Sequence, residues 1–357
     1  MNDAIFFGFT SICYMLSMVF YIVYLIYKKD VVGRVASYLA YFGFFLHSIG
    51  FLVRWYKFSF SFSLPLSQSI PITNLYESLL FFAWCIILGN IFIELRFKTR
   101  LFGFLITAIA GMAIAFVDAI GANKIVQPIL PALKSNWLLA HASLSFVAYA
   151  AFSLSFAASI LNLAFNITDK RNKIYTFWVF SLSIFIYTTF LLITDFVLNG
   201  IGKIGNGVYR PLFSLKNSNS TLWIFLSLGF VILTLLVWLF GNKIKSLIEK
   251  FHIDNSMFEV VEYKMITIGF PIFTIGGLIF GAIWADISWG RYWAWDPKET
   301  WAFITWMVYA FYLHMRFLRG FDGIRSSVIS VIGFIITIFT YVGVNLLLSG
   351  LHSYGSM

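Results

Sequence analysis

Apolar runs of about 18 or more residues recur along the whole chain, separated by short polar stretches. Each is long enough to cross a hydrocarbon core of about 30 Å as a helix. The pattern predicts ten helices, near 4–27, 35–54, 74–95, 101–120, 137–165, 175–197, 221–241, 264–285, 300–318 and 327–349. No stretch between them is long enough for an ordinary soluble domain. The expected fold is therefore all-α: a polytopic integral membrane helical bundle of about ten transmembrane helices, forming a single domain over 1–357. The N-terminus has neither a basic start nor a small-residue cleavage site, so the first apolar run reads as a retained helix.

Composition agrees with the pattern. Of 357 residues, 60% are hydrophobic and 11% charged, where soluble domains carry roughly a quarter charged. The net charge of +10 does not point to nucleic acid, because the basic residues cluster beside alternate helix ends. One set of loops and edges holds Lys28, Lys29 and Arg34; Arg96, Lys98 and Arg100; Lys170, Arg171 and Lys173; Lys243, Lys245, Lys250 and Lys264; and Arg316, Arg319 and Arg325. That is 16 of the 25 Lys and Arg residues, and the positive-inside rule then puts both termini on the outer side of the membrane. The opposite loops (55–73, 121–136, 198–220 and 286–299) are longer and irregular, and such segments carry function when rigid helices hold them.

Two cysteines, Cys13 and Cys85, fall inside predicted helices, so there is no disulfide framework and no CxxC or CxxCH motif. The five histidines are more informative. His252 sits in a polar, basic-side segment and reads as solvated. His47 and His314 lie within predicted helices, where an ionisable group faces the bundle interior and has a partner. His141 starts the fifth helix and His352 follows the tenth, both on the predicted outer side. Two outer and two intramembrane imidazoles fit axial ligation of haem iron. Zinc or a proton relay fits the same residues.

Half of the twelve tryptophans fall between Trp284 and Trp306, in IWADISWGRYWAWDPKETWAFITW. An interfacial aromatic belt accounts for two or three of them. It does not account for Trp289, Gly290, Trp293 and Trp295 crowded ahead of an Asp-Pro-Lys-Glu turn. Several indoles on one short segment can make a flat apolar wall suited to a porphyrin face. Asp296, Pro297 and Glu299 stand at the N-cap, N1 and N3 positions of the next helix, so Asp296 is assigned mainly to capping.

WGRYWAWDPKETW resembles the WWD signature of a haem-handling superfamily that includes CcsA (ResC), CcmC and CcmF. PITNLYESLLFFAW, from Pro71 to Trp84, is similar to the Asn-Leu-Tyr-Glu-Ser segment of the CcsA family, and LPALKSNWLLAH leads to His141 as in that family. The resemblance implies His141 and His352 as external axial ligands of haem b, and His47 and His314 as ligands of an intramembrane site. It implies Trp289, Gly290, Trp293, Trp295 and Asp296 as the haem-presenting segment, within a WWD stretch over 284–301. It implies a subunit of a cytochrome c haem lyase that exports or presents haem. The implied partners are a CcsB (ResB) membrane protein, an apocytochrome c with a CxxCH site and a thiol-reducing, thioredoxin-like protein. The implied setting is a bacterial inner membrane or a thylakoid membrane. An extra helical pair over 175–241 departs from the family pattern. The alternatives are a CcmC- or CcmF-type haem-delivery protein, a b-type electron-transfer subunit, and a transporter without haem, whose inverted repeats are not evident.

Overall fold

A computed structural model describes residues 3–119, 126, 135–200, 220–251 and 256–348. All regular structure within them is helical. The helices are α1 (Asp3–Tyr27), α2 (Asp30–Phe62), α3 (Leu75–Phe97), α4 (Gly103–Ala119), α5 (Asn136–Asn166), α6 (Lys173–Asp195), α7 (Ser220–Phe240), α8 (Asn242–Glu249), α9 (Ser256–Phe273), α10 (Gly281–Trp289), α11 (Pro297–Arg319), α12 (Ile324–Ile338) and α13 (Val344–Leu347). The π-helical stretch Thr274–Phe280 joins α9 to α10, and Phe339–Gly343 joins α12 to α13, so each pair is one rod. Among the described residues, eight helices are long and apolar enough to cross a membrane, and α4 is a shorter apolar helix. The chain is an integral membrane helical bundle, and all ten predicted helices are present.

Three boundaries differ from the sequence reading, the first for a packing reason. The helix predicted to end near 54 runs on to Phe62, because Phe58 and Phe62 lie one turn apart and pack with Trp284. It stops where Ser63 turns left-handed, with φ 51°. The rod predicted over 264–285 spans 256–289, so the loop before α11 shrinks from 286–299 to 290–296. The short amphipathic α8 was not foreseen.

Helix α5 is the bundle's axis and packs on α9, α12 and α3. Alanine and serine at Ala148, Ala150, Ala151, Ser153, Ala157 and Ala158 keep it thin, so neighbouring backbones approach closely. Its polar groups are used between helices: Ser155 pairs with Ser330 at 2.8 Å, and Asn162 donates to Ser327 at 2.9 Å.

A buried ionic cluster ties α1, α2 and α3 together. Arg54 meets Asp3 and Glu77, each at 2.8 Å, and stacks its guanidinium 4.7 Å from the Tyr76 ring. Asn74 caps α3 by accepting from the Glu77 N–H at 2.9 Å, while Glu77 accepts from the Thr73 N–H at 3.0 Å. This is a variant of the capping box, in which the N3 carboxylate reaches back to the residue before the cap. The Asn-Leu-Tyr-Glu-Ser segment is thus the helix start that anchors Arg54.

Candidate functional site

The first turns of α3, α5 and α11 converge with α9–α10 and α12–α13 on one cavity of about 160 Å³. All these ends lie away from the short basic loops that follow α1, α3, α5 and α11.

His141 stands on the second turn of α5. Its Nδ1 lies 2.8 Å from the Gly276 carbonyl oxygen. That carbonyl belongs to the π-helical stretch, where widened hydrogen bonding turns backbone groups toward other partners. A carbonyl only accepts, so the proton sits on Nδ1 and Nε2 carries the ring's lone pair. A hydrogen bond from the other ring nitrogen to a carbonyl orients metal-binding histidines and raises their basicity. Glycine makes the approach possible. A Cβ at Gly281 would sit 2.9 Å from His141 Nδ1, and one at Gly276 would sit 2.2 Å from Leu144 Cβ. The Trp284 ring lies nearly parallel to the imidazole at 6.1 Å, and Trp289 meets Trp284 edge-on at 4.9 Å.

The tryptophans do not form a single sheet of rings. Trp284 and Trp289 pack inward with Phe58, and Trp289 adjoins the end of α2. Trp293 lines the cavity, 5.7 Å from Trp295. Trp295 is 67% exposed and leans on Phe303. Gly290 ends α10 at φ 71°, a left-handed cap that suits glycine. Asp296 caps α11, accepting from the Lys298 N–H at 3.3 Å, as the sequence predicts.

Trp295 itself holds φ 56°, a left-handed conformation costing about 1–2 kcal/mol for a residue with a Cβ. Such strain collects at functional sites. Trp295→Gly is expected to raise the melting temperature while weakening retention of haem. A variant with unchanged haem retention takes Trp295 out of the site.

The cavity also holds groups that sequence reasoning passed over. Lys298 reaches in from the first turn of α11, donating to Asn345 Oδ1 at 3.0 Å with its ammonium 5.6 Å from the Tyr341 ring. Glu299 accepts from the Ala294 N–H at 2.7 Å through Oε2. Glu299 Oε1 and Trp293 Nε1 are buried without a hydrogen-bond partner, a costly state unless something else meets them. Lys298 and Glu299 were visible in the Asp-Pro-Lys-Glu turn but read only as a helix start. Gly276, Gly277 and Gly281 were visible as small residues within one apolar helix.

The remaining histidines separate. His47 is fully buried on α2, with Nδ1 3.2 Å from the Tyr14 hydroxyl and Phe7 edge-on at 5.6 Å. Its Nε2 makes no hydrogen bond. His314 is exposed on α11. Helix α2 packs on α1 and α3, while α11 packs on α12 and α9, so these two imidazoles have different neighbours. His352 and His252 lie outside the described residues.

The described residues thus form an all-helical membrane bundle that sets one histidine beside tryptophans at one end. The chain belongs to the cytochrome c assembly protein family, whose model matches residues 72–352. That stretch contains His141, the tryptophan segment, His314 and His352, and leaves His47 outside. The chain is similar to the cytochrome c biogenesis protein CcsA of Pyropia yezoensis, 37% identical over 80% of this chain and 78% of the relative. The CcsA of Microcystis aeruginosa is 37% identical over 80% and 79%, and that of Mesostigma viride 34% identical over 87% and 83%.

Proposed function

We propose that this chain works in cytochrome c biogenesis by holding haem b at its tryptophan-bearing end and presenting it for covalent attachment. The observation that carries the reading is the His141–Gly276 pair, which aims an imidazole nitrogen beside the indoles of Trp284 and Trp289. His352 is the proposed second axial ligand, and Trp289, Gly290, Trp293, Trp295 and Asp296 the presenting segment. Lys298 and Trp293 Nε1 are donors suited to a haem propionate. His47 and His314 are proposed for an intramembrane haem stage as separate contacts and not as one axial pair, since their helices have different neighbours.

Attachment itself is chemistry of the substrates. Each cysteine of a CxxCH peptide adds its sulfur to a vinyl carbon of haem, and a proton completes the neighbouring carbon. No electrons change hands, but both thiols must be reduced, which calls for a thioredoxin-like reductant. The chain contributes ligation and orientation, and a CcsB-type partner completes the lyase. The positive-inside distribution supports an outer placement of the site, facing the periplasm of a bacterium or the lumen of a thylakoid.

The test is a reconstituted system: the chain co-purified with its CcsB-type partner, loaded with haem and mixed with reduced apocytochrome c. Haem is expected to leave the complex and appear as thioether-linked cytochrome c. Haem that stays bound through prolonged incubation with the reduced peptide overturns the proposal in favour of a resident electron-transfer cofactor.

A further inference from the structure

A second cavity lies toward the opposite end of the bundle. It measures about 500 Å³ and is walled by α1, α4, α5, α6 and α8, with Ile244, Leu247 and Ile248 contributed by α8. Its lining carries no charged side chain, and its one hydroxyl, on Thr189, is engaged by the Phe185 carbonyl at 2.7 Å. It offers no imidazole or thiolate to iron. Ile22, Ile26, Ile186 and Phe190 on its edge are exposed, so it opens sideways between α1 and α6 into the lipid phase.

Above it, α8 is amphipathic, with apolar side chains directed into the cavity and lysines on its other face. Lys28 at the end of α1 donates to the Lys250 carbonyl, which brings the two chain segments together. This edge carries Lys28, Lys250 and Lys245, the last lying 3.9 Å from the Glu249 carboxylate. An apolar slot beneath a basic edge is complementary to an amphiphile with an anionic head. Basic pockets at the ends of transmembrane helices hold such headgroups, and lysine stems lie over apolar surface while their ammonium groups reach outward.

We propose that α6 and α8 form a specific site for an anionic phospholipid, one acyl chain filling the cavity and the phosphate held by Lys245, Lys250 and Lys28. Helix α6, the first of the extra pair over 175–241, supplies one wall of this site.

The experiment reconstitutes the full chain in vesicles of equal phosphatidylglycerol and phosphatidylcholine, extracts it in mild detergent, and measures co-purified phospholipid by mass spectrometry. Stoichiometric retention of phosphatidylglycerol is expected. Lys245→Gln and Lys250→Gln should each weaken the preference by about fivefold. Ala108→Phe, which fills the cavity wall, should abolish retention of both lipids. The lysine variants leave the core intact and decide the matter even if Ala108→Phe misfolds. Equal retention of the two lipids, a preference unmoved by the lysine variants, or retention of a quinone in place of phospholipid overturns the proposal.

Discussion

Replacing His141 with glycine is expected to lower haem occupancy of the complex by at least about a hundredfold, since loss of only the group that hydrogen-bonds a ligating histidine typically costs about 10–100-fold. Added imidazole should restore part of the haem spectrum, because the vacated space sits beside Trp284 and beneath the Gly276 carbonyl. A sharper variant leaves the ligand in place. In Gly281→Ala the new methyl would stand 2.9 Å from Nδ1, pushing the ring off its carbonyl. Its occupancy is expected to fall by about 10–100-fold, without rescue by imidazole. Normal spectra and cytochrome c yields in both variants would remove His141 from haem ligation.

The second large effect concerns the protein's integrity. Arg54 is 1% exposed and is neutralised by Asp3 and Glu77. Glu77→Ala removes one of these carboxylates and also the acceptor for the Thr73 N–H. Breaking a buried ion pair from one side costs about 3–5 kcal/mol, because the remaining charge stays buried. Thermal unfolding in detergent should show a marked drop in melting temperature, and less protein should accumulate in the membrane. Converting Asp3, Arg54 and Glu77 together to methionine is expected to recover most of the loss, since apolar replacement of a whole buried cluster is often neutral. If the triple variant is as unstable as Glu77→Ala, the charges are not the cause.

The helices were legible because a membrane span is written in length and apolarity, two properties of local sequence. The end of α2 was not. Phe58 and Phe62 look like part of a Ser/Phe-rich link until Trp284, more than two hundred residues away, supplies the surface they pack on. The capping role of Asp296 was legible, since Asp-Pro-x-Glu is a local signal. The carbonyl that orients His141 was hidden, because it depends on a π-helical stretch that composition does not announce. Asn74 and Glu77 were recognised only as part of a motif. Their physical task, anchoring Arg54, required knowing that α1 and α2 lie beside α3. His47 and His314 looked alike in sequence as histidines in apolar helices, yet one is enclosed and the other faces outward. Helical periodicity alone cannot choose between an interior and an exterior face when both faces of the helix are apolar.

The polar seam between α5 and α12 sets an order of events in biosynthesis. Ser155 and Asn162 emerge from the ribosome long before Ser330 and Ser327, which stand 175 and 165 residues later in the chain. Through that interval a helix rich in serine and asparagine has to reside in the bilayer before its partners exist. Its small side chains make few contacts with lipid, and its hydroxyls bond back to their own backbone, as Ser153 and Ser159 do at 2.7 and 2.8 Å. The early helix therefore waits in self-satisfied form. The α12–α13 rod covers the last side of this axis, so truncation upstream of 324 should leave that side of α5 without its hydroxyl partners.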